Sequence, residues 1–367
     1  MKYVDEFRDR KLIDKVAEDI RRAVDPDRTY NIMEVCGTHT MSIFRFGLRD
    51  ILPGNIRLIS GPGCPVCVTP NEFIDKAIAI ANMKDVIVAT FGDMLKVPGT
   101  SSSLEKEKAK GCEIRIVYSS LDALDMAGKH KNKKIAFLGI GFETTAPTVA
   151  QSMIIAKKRR LKNYSVLCGH KTMPEVMEAL VRDKLIKVDF FLLPGHVSAI
   201  TGTLPYRFLS SKYKKGSVVS GFEPLDILQS ILMIVKQARP KVEIQYNRII
   251  RKTGNPLARK SMNRVFEKCS SEWRGIGLVR NSGLKIKRSY REFDAEAKFK
   301  PEIDEPKDNI RCFCGYILKG LKTPYDCPSF ARTCTPENPI GACMVSSEGT
   351  CAAYFKYRRS SFVNRGS

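Results

Sequence analysis

"KIAFLGIGFETTAP", residues 134–147, decides the fold. An apolar run ends on glycines, a short polar cluster carrying Glu143, Thr144 and Thr145 follows, and a helical pattern opens after Pro147. That order is the signature of a buried parallel strand feeding a crossover helix. The same unit recurs on both sides. Upstream lie "NIMEVC" (31–36), "IRLIS" (56–60), "VIVATFG" (86–92) and "EIRIVY" (113–118), with a helix expected over 71–82. Downstream lie "YSVLCG" (164–169), "VDFFLLPG" (188–195) and "SVVSGF" (217–222), closed by a helix over 223–238. Two sets of four strands predict two similar α/β domains with parallel sheets.

After Pro240 the texture changes. Apolar runs shorten, basic residues become more frequent, and six of the twelve cysteines crowd between residues 312 and 351. The expected organisation is therefore an N-terminal helix at 1–20 packed with the C-terminal unit, a first α/β domain at 21–128, a second at 129–239, and a smaller cysteine-rich domain at 240–367. The polar, proline-broken stretch 289–309 reads as a loop.

A chain of 367 residues can bury two or three cores and needs no disulfide staples. Neither a signal peptide nor an apolar run of membrane-spanning length is present, so the cytoplasm is the expected compartment. Thiols stay reduced there, and twelve cysteines point to metal, redox or nucleophilic chemistry. The formal net charge of +23 raises the question of a nucleic-acid partner. Its basic runs, "KKRRLK" (157–162), "KYKK" (212–215), "RIIRK" (248–252) and "KIKR" (285–288), are scattered and lack interleaved aromatics. A solvated surface that helps dock an acidic protein is the preferred reading.

In open parallel sheets ligands collect beyond the carboxyl ends of the strands. The unusual residues fall there: Cys36 in "CGTHT", Cys64 and Cys67 in "GPGCPVC", Asp93, the "GFETTAP" cluster, His170 and His196. "GIGFET" is only part of a dinucleotide fingerprint, and no P-loop is present. Cys64 and Cys67 lack a second C-x-x-C knuckle beside them, which favours a redox dithiol or an auxiliary iron contact over half of a zinc finger. Cys312, Cys314, Cys327, Cys334, Cys343 and Cys351 share their stretch with no histidine, so a metal there is held by sulfur alone, as zinc or as an iron–sulfur cluster. Wide spacing favours the cluster. Cys112, Cys168 and Cys269 read as packing residues.

Together "EVCGTHT", "SGPGCPVCVTP", "GFETTAPT", "PGHVSAI", "GFEPLDIL", "WRGIGLVRNSGL" and "CTPENPIGACMVSSEGTCAAYFKY" resemble the HypD family of hydrogenase maturation proteins, in the family's order from about residue 30 to 357. The resemblance implies two α/β domains and a domain holding one [4Fe-4S] cluster. It also implies a scaffold, shared with the small protein HypC, on which the Fe(CN)2CO unit of [NiFe] hydrogenase is built. Cyanide would come from HypE, charged upstream by HypF, with electrons supplied through the cluster and nearby thiols. Carried onto this chain, the resemblance makes Cys36 the ligand of the scaffold iron, with His39 orienting a ligand or moving a proton. Cys64 and Cys67 become redox or auxiliary thiols. The spacing C-x14-C-x6-C-x16-C selects Cys312, Cys327, Cys334 and Cys351 for the cluster, with Cys314 able to replace Cys312. Cys314 and Cys343 are left as a redox pair, an arrangement similar to ferredoxin:thioredoxin reductase. Glu143, Thr144, Thr145, His196 and Ser198 would line a cleft for the HypE tail, or hold the two domains together. An iron–sulfur thiol–disulfide reductase and a basic nucleic-acid-binding protein are the alternatives.

Overall fold

The computed structural model describes residues 4–307 and 309–357; the ends of the expected 1–20 and 240–367 segments, 1–3 and 358–367, lie outside the described residues. Among the described residues eleven strands are formed. They are β1 (Tyr30–Glu34), β2 (Ile56–Ser60), β3 (Val86–Thr90), β4 (Ile114–Ile116), β5 (Lys134–Gly139), β6 (Tyr164–Cys168), β7 (Phe190–Pro194), β8 (Gly216–Ser220), β9 (Val242–Ile244), β10 (Phe266–Trp273) and β11 (Gly277–Ile286). The helices expected over 71–82 and 223–238 are Asn71–Ala81 and Pro224–Val235.

Two parallel sheets result, in the orders β2-β1-β7-β8-β9 and β4-β3-β5-β6. Alternate residues of the central strands enter different cores, as burial on both faces of a parallel sheet requires. Ile135 and Phe137 face a core with Val149 and Tyr164, while Ala136 and Leu138 enter the core that also holds Met33, Trp273 and Cys343. That shared core joins the inner faces of both sheets to the cysteine unit. It thereby fixes the strand ends of the two sheets against the cysteines.

The strands do not divide at residue 128/129. β1 pairs with β7, Ile32 opposite Phe190, so the first sheet is built from both ends of the chain and the second is inserted between β2 and β7. Hydrophobic runs identify strands but not their parallel partners, and grouping by sequence proximity fails at an insertion. The boundary at 239/240 shifts for a similar reason, because β9 extends the first sheet alongside β8. The N-terminal helix, Arg10–Ala23, also differs from expectation. Its Ile20 joins Ile227, Leu228 and Ile231 of the helix Pro224–Val235, and Arg8 Nη2 meets Glu223 Oε1 at 3.0 Å. It covers the first sheet and not the C-terminal unit, because that is where its narrow apolar stripe finds a matching face.

The segment after β9 contains a helix, Pro256–Val265, and the antiparallel β10–β11 hairpin. The stretch 289–309 is not all loop, since it includes short helices at Arg288–Phe293 and Ala295–Phe299. Among the described residues no helix is long and apolar enough to cross a membrane.

Candidate metal and thiol site

β1 ends just before Cys36, which is the N-cap of the helix Gly37–Arg45. Two glycines let other chain segments close on it. A Cβ on Gly63 would lie 2.3 Å from the Cys36 backbone nitrogen, and one on Gly37 would lie 2.5 Å from the Glu348 carbonyl oxygen. The result is a cleft of about 370 Å³ whose wall includes Cys36, Thr144, Thr145, His196 and Glu348. Three parts of the fold contribute: the first sheet, the second sheet and the cysteine unit. Thr38 Oγ1 donates to Glu348 Oε1 at 2.7 Å, and Ser346 Oγ donates to Asp93 Oδ2 at 2.7 Å, so one loop is tied to both sheets.

Burial, and then the nearby Glu348 carboxylate, push the Cys36 thiol up to about 12. The free thiol is therefore protonated at neutral pH. A bound cation would reverse that preference, since a metal takes the place of the proton on sulfur.

The other residues expected at this cleft divide. Thr144, Thr145 and His196 line it. His196 stacks on Phe222 with ring centroids 3.9 Å apart. His39 lies behind the wall and is fully buried, with Nε2 3.0 Å from the Gly221 carbonyl and its ring 4.9 Å from Phe222. Burial lowers its pKa to about 4, leaving a neutral ring that donates from Nε2. Glu143 is buried too, its carboxylate accepting from the Met173 N–H at 3.1 Å, and burial raises its pKa to about 8. Ser198 is fully buried. Thus the structure brings Cys36, Thr144, Thr145 and His196 to one cleft and places His39, Glu143 and Ser198 behind it.

Cys64 and Cys67 sit at opposite ends of one helical turn. Pro65 at the first helical position sets that turn, and Cys64 Sγ accepts from the Cys67 N–H at 3.4 Å. Cys67 is fully buried, and its pKa lies well above the ordinary thiol range through burial and through the Cys343 and Cys64 thiols beside it. Arg274, in the turn between β10 and β11, holds the following loop by donating to the Thr69 carbonyl at 2.9 Å and to Asn71 Oδ1 at 2.7 Å.

All six C-terminal cysteines line a single small cavity. Cys314 Sγ and Cys343 Sγ are 2.7 Å apart, while Cys312, Cys327, Cys334 and Cys351 complete the wall. Backbone N–H groups point at sulfur, as when Ile340 N donates to Cys334 Sγ at 3.3 Å. Gly341 is required at the wall because a Cβ there would stand 2.3 Å from Cys312 Sγ. Among the described residues no histidine or carboxylate lines this cavity, and no three His, Cys, Asp or Glu side chains converge as around a single metal ion. The donor set and its N–H···S contacts fit an iron–sulfur cluster, whose ligands surround a volume and whose sulfurs accept hydrogen bonds.

The two sites are connected. Thiols run from Cys64 through Cys67 and Cys343 to Cys314, and the loop between Cys343 and Cys351 puts Glu348 at Cys36. Sequence reasoning missed Glu348 and Arg274, which lie inside quoted motifs but carry no spacing that marks them.

Comparison with known proteins identifies the family. The HypD family model, described as "Hydrogenase formation hypA family", matches residues 11–358. The hydrogenase maturation factor HypD2 of Bradyrhizobium diazoefficiens is 46% identical over 98% of this chain and 97% of its own length. The HypD factor of Cupriavidus necator is 46% identical over 98% of both chains, and that of Escherichia coli is 44% identical over 98% of this chain and 99% of its own. The chain belongs to the HypD family of hydrogenase maturation factors.

Proposed function

We propose that this chain, with a HypC partner, holds the iron on which the Fe(CN)2CO unit is assembled, and that it supplies the electrons for that assembly. The observation that carries the reading is the continuity just described, a thiol-lined cavity joined by further thiols and by one loop to a cleft with Cys36 in its wall.

In this reading Cys36 gives up its proton and binds the substrate iron as thiolate, sharing it with a cysteine of HypC. The cleft beside it, open between the two sheets and walled by Thr144, Thr145 and His196, receives the C-terminal thiocyanate of HypE. Cleaving the S–C bond of that group consumes two electrons and yields a thiolate and cyanide, which passes to the iron. A dithiol supplies two electrons and two protons when it closes to a disulfide. Cys64 with Cys67, and Cys314 with Cys343, are the pairs available for that exchange. Cys312, Cys327, Cys334 and Cys351 would hold a [4Fe-4S] cluster, which when bound supplies electrons one at a time to reopen the disulfide. His39, buried and neutral, fixes the Gly221 turn behind the cleft.

Infrared spectroscopy of the anaerobically purified complex with HypC tests the reading. Bands of metal-bound cyanide and carbonyl are expected in the wild type and absent in Cys36→Ala, with about four cluster irons retained in both. A wild-type complex with an intact cluster and no such bands would instead favour a thiol–disulfide reductase.

A further inference from the structure

Electrons consumed at the cleft have to enter from outside, and the cluster cavity is buried on the side that shares the main core. Its other side adjoins a larger pocket of about 540 Å³. Cys312, Cys314, Ile340 and Gly341 line both, so two of the thiols belong to the wall shared with the pocket. Close packing of two glycine backbones shapes the pocket floor. Gly275 has φ +71°, and a Cβ on it would stand 2.1 Å from the Gly315 Cα.

The charged residues among the described lining are all of one sign. Arg274, Lys307 and Lys319 contribute to the wall, and its described lining residues include no carboxylate. Lys322 stands over the Phe313 ring at 4.3 Å and within 5.6 Å of Tyr316, adding a further cation at the rim. Ile310 is 94% exposed and Tyr316 54%, so the mouth also presents bare apolar surface. An apolar and aromatic patch bordered by cations suits a protein surface carrying carboxylates. A small anion would have no use for the exposed Ile310 and Tyr316.

We propose that this mouth is the docking site of a small, acidic, one-electron carrier protein that reduces the cluster through the Cys312–Cys314 wall. The inference rests on the cluster proposed above. Each encounter moves one electron from the reduced carrier to the cluster and leaves the carrier oxidised, with no proton transferred. Two encounters supply the pair needed to reopen one disulfide. What distinguishes this mouth from the rest of the basic surface is the position of its cations against the Cys312–Cys314 wall.

The test is stopped-flow reduction of the full-length, cluster-loaded protein by a reduced plant-type [2Fe-2S] ferredoxin, with the methyl viologen radical as a small cationic reductant that needs no docking. The triple variant Lys307→Glu, Lys319→Glu, Lys322→Glu is expected to slow reduction by ferredoxin at least tenfold and to lose its dependence on ionic strength, with reduction by methyl viologen unchanged. A second triple, Lys129→Glu, Lys131→Glu, Lys158→Glu, makes the same charge change on exposed residues over the opposite face of the second sheet, and is expected to stay within twofold of wild type. Equal slowing by both triples would reduce the effect to bulk charge and overturn the proposal, as would a ferredoxin rate that neither triple changes. Iron and sulfide analysis distinguishes the remaining failure: a chain without a cluster overturns the cluster reading, and this inference with it.

Discussion

Gly341 shows how one hydrogen atom shapes the cysteine cavity. Its missing side chain leaves room for Cys312 Sγ, which a Cβ would approach to 2.3 Å. Gly341→Ala is expected to lower cluster iron to less than half of wild type after anaerobic reconstitution, whereas Gly54→Ala, where a Cβ meets nothing within 4 Å, retains full iron. Glu143 makes a different residue-scale prediction. Burial raises its folded pKa to about 8, above the unfolded value near 4.5, so the folded state binds the proton more tightly. Its contribution to stability is full below the unfolded value and is lost as pH rises through the folded one. His39 and His170, lowered by burial to about 4 and about 3, act in the opposite sense and only below their unfolded value near 6.5. Between pH 6.5 and 7.5 the wild type should therefore lose about 1 kcal/mol in urea unfolding that Glu143→Gln does not lose.

The β10–β11 hairpin was the element least legible in the sequence. Along β10 only Phe266 and Trp273, at its two ends, are buried, and the intervening residues are polar and largely exposed, so no apolar alternation announces a strand. Eight of the nine strands of the two sheets were legible, by contrast, most of them because burial on both faces makes them continuous apolar runs, whereas β9, with no buried residue, was not. What the hairpin does is also hidden from sequence. Its turn carries Arg274 into the loop after Cys67, where two acceptors are satisfied by a single guanidinium. Arg274→Met keeps the bulk and leaves both acceptors bare, at a cost of about 2 kcal/mol by denaturant midpoint. Faster alkylation of Cys67 is expected to accompany it.

For the whole molecule, the fold class followed from local patterns, while the path of the chain between the sheets did not. Pairing of β1 with β7 is a long-range choice made by complementary faces, and nothing in "NIMEVC" encodes its partner. The candidate site divides in the same way. The cysteines were conspicuous by type, but the burial of His39, Glu143 and Ser198 behind the cleft depends on packing from distant segments. The interleaved topology predicts that residues 21–128, contiguous as they are, do not form an independent domain. In that fragment β1 lacks β7 and β3 lacks β5, and circular dichroism should show no cooperative thermal transition. A sharp transition would argue against the sheet order described.

The Glu348 contact at Cys36 has a consequence for the time course of synthesis. Cys36 emerges early from the ribosome, but its cleft borrows a wall residue that is translated more than 300 positions later. A nascent chain therefore carries Cys36 without the Glu348 side of its cleft. On the function proposed above, iron loading at Cys36 would wait for that wall, and so for synthesis of nearly the whole chain.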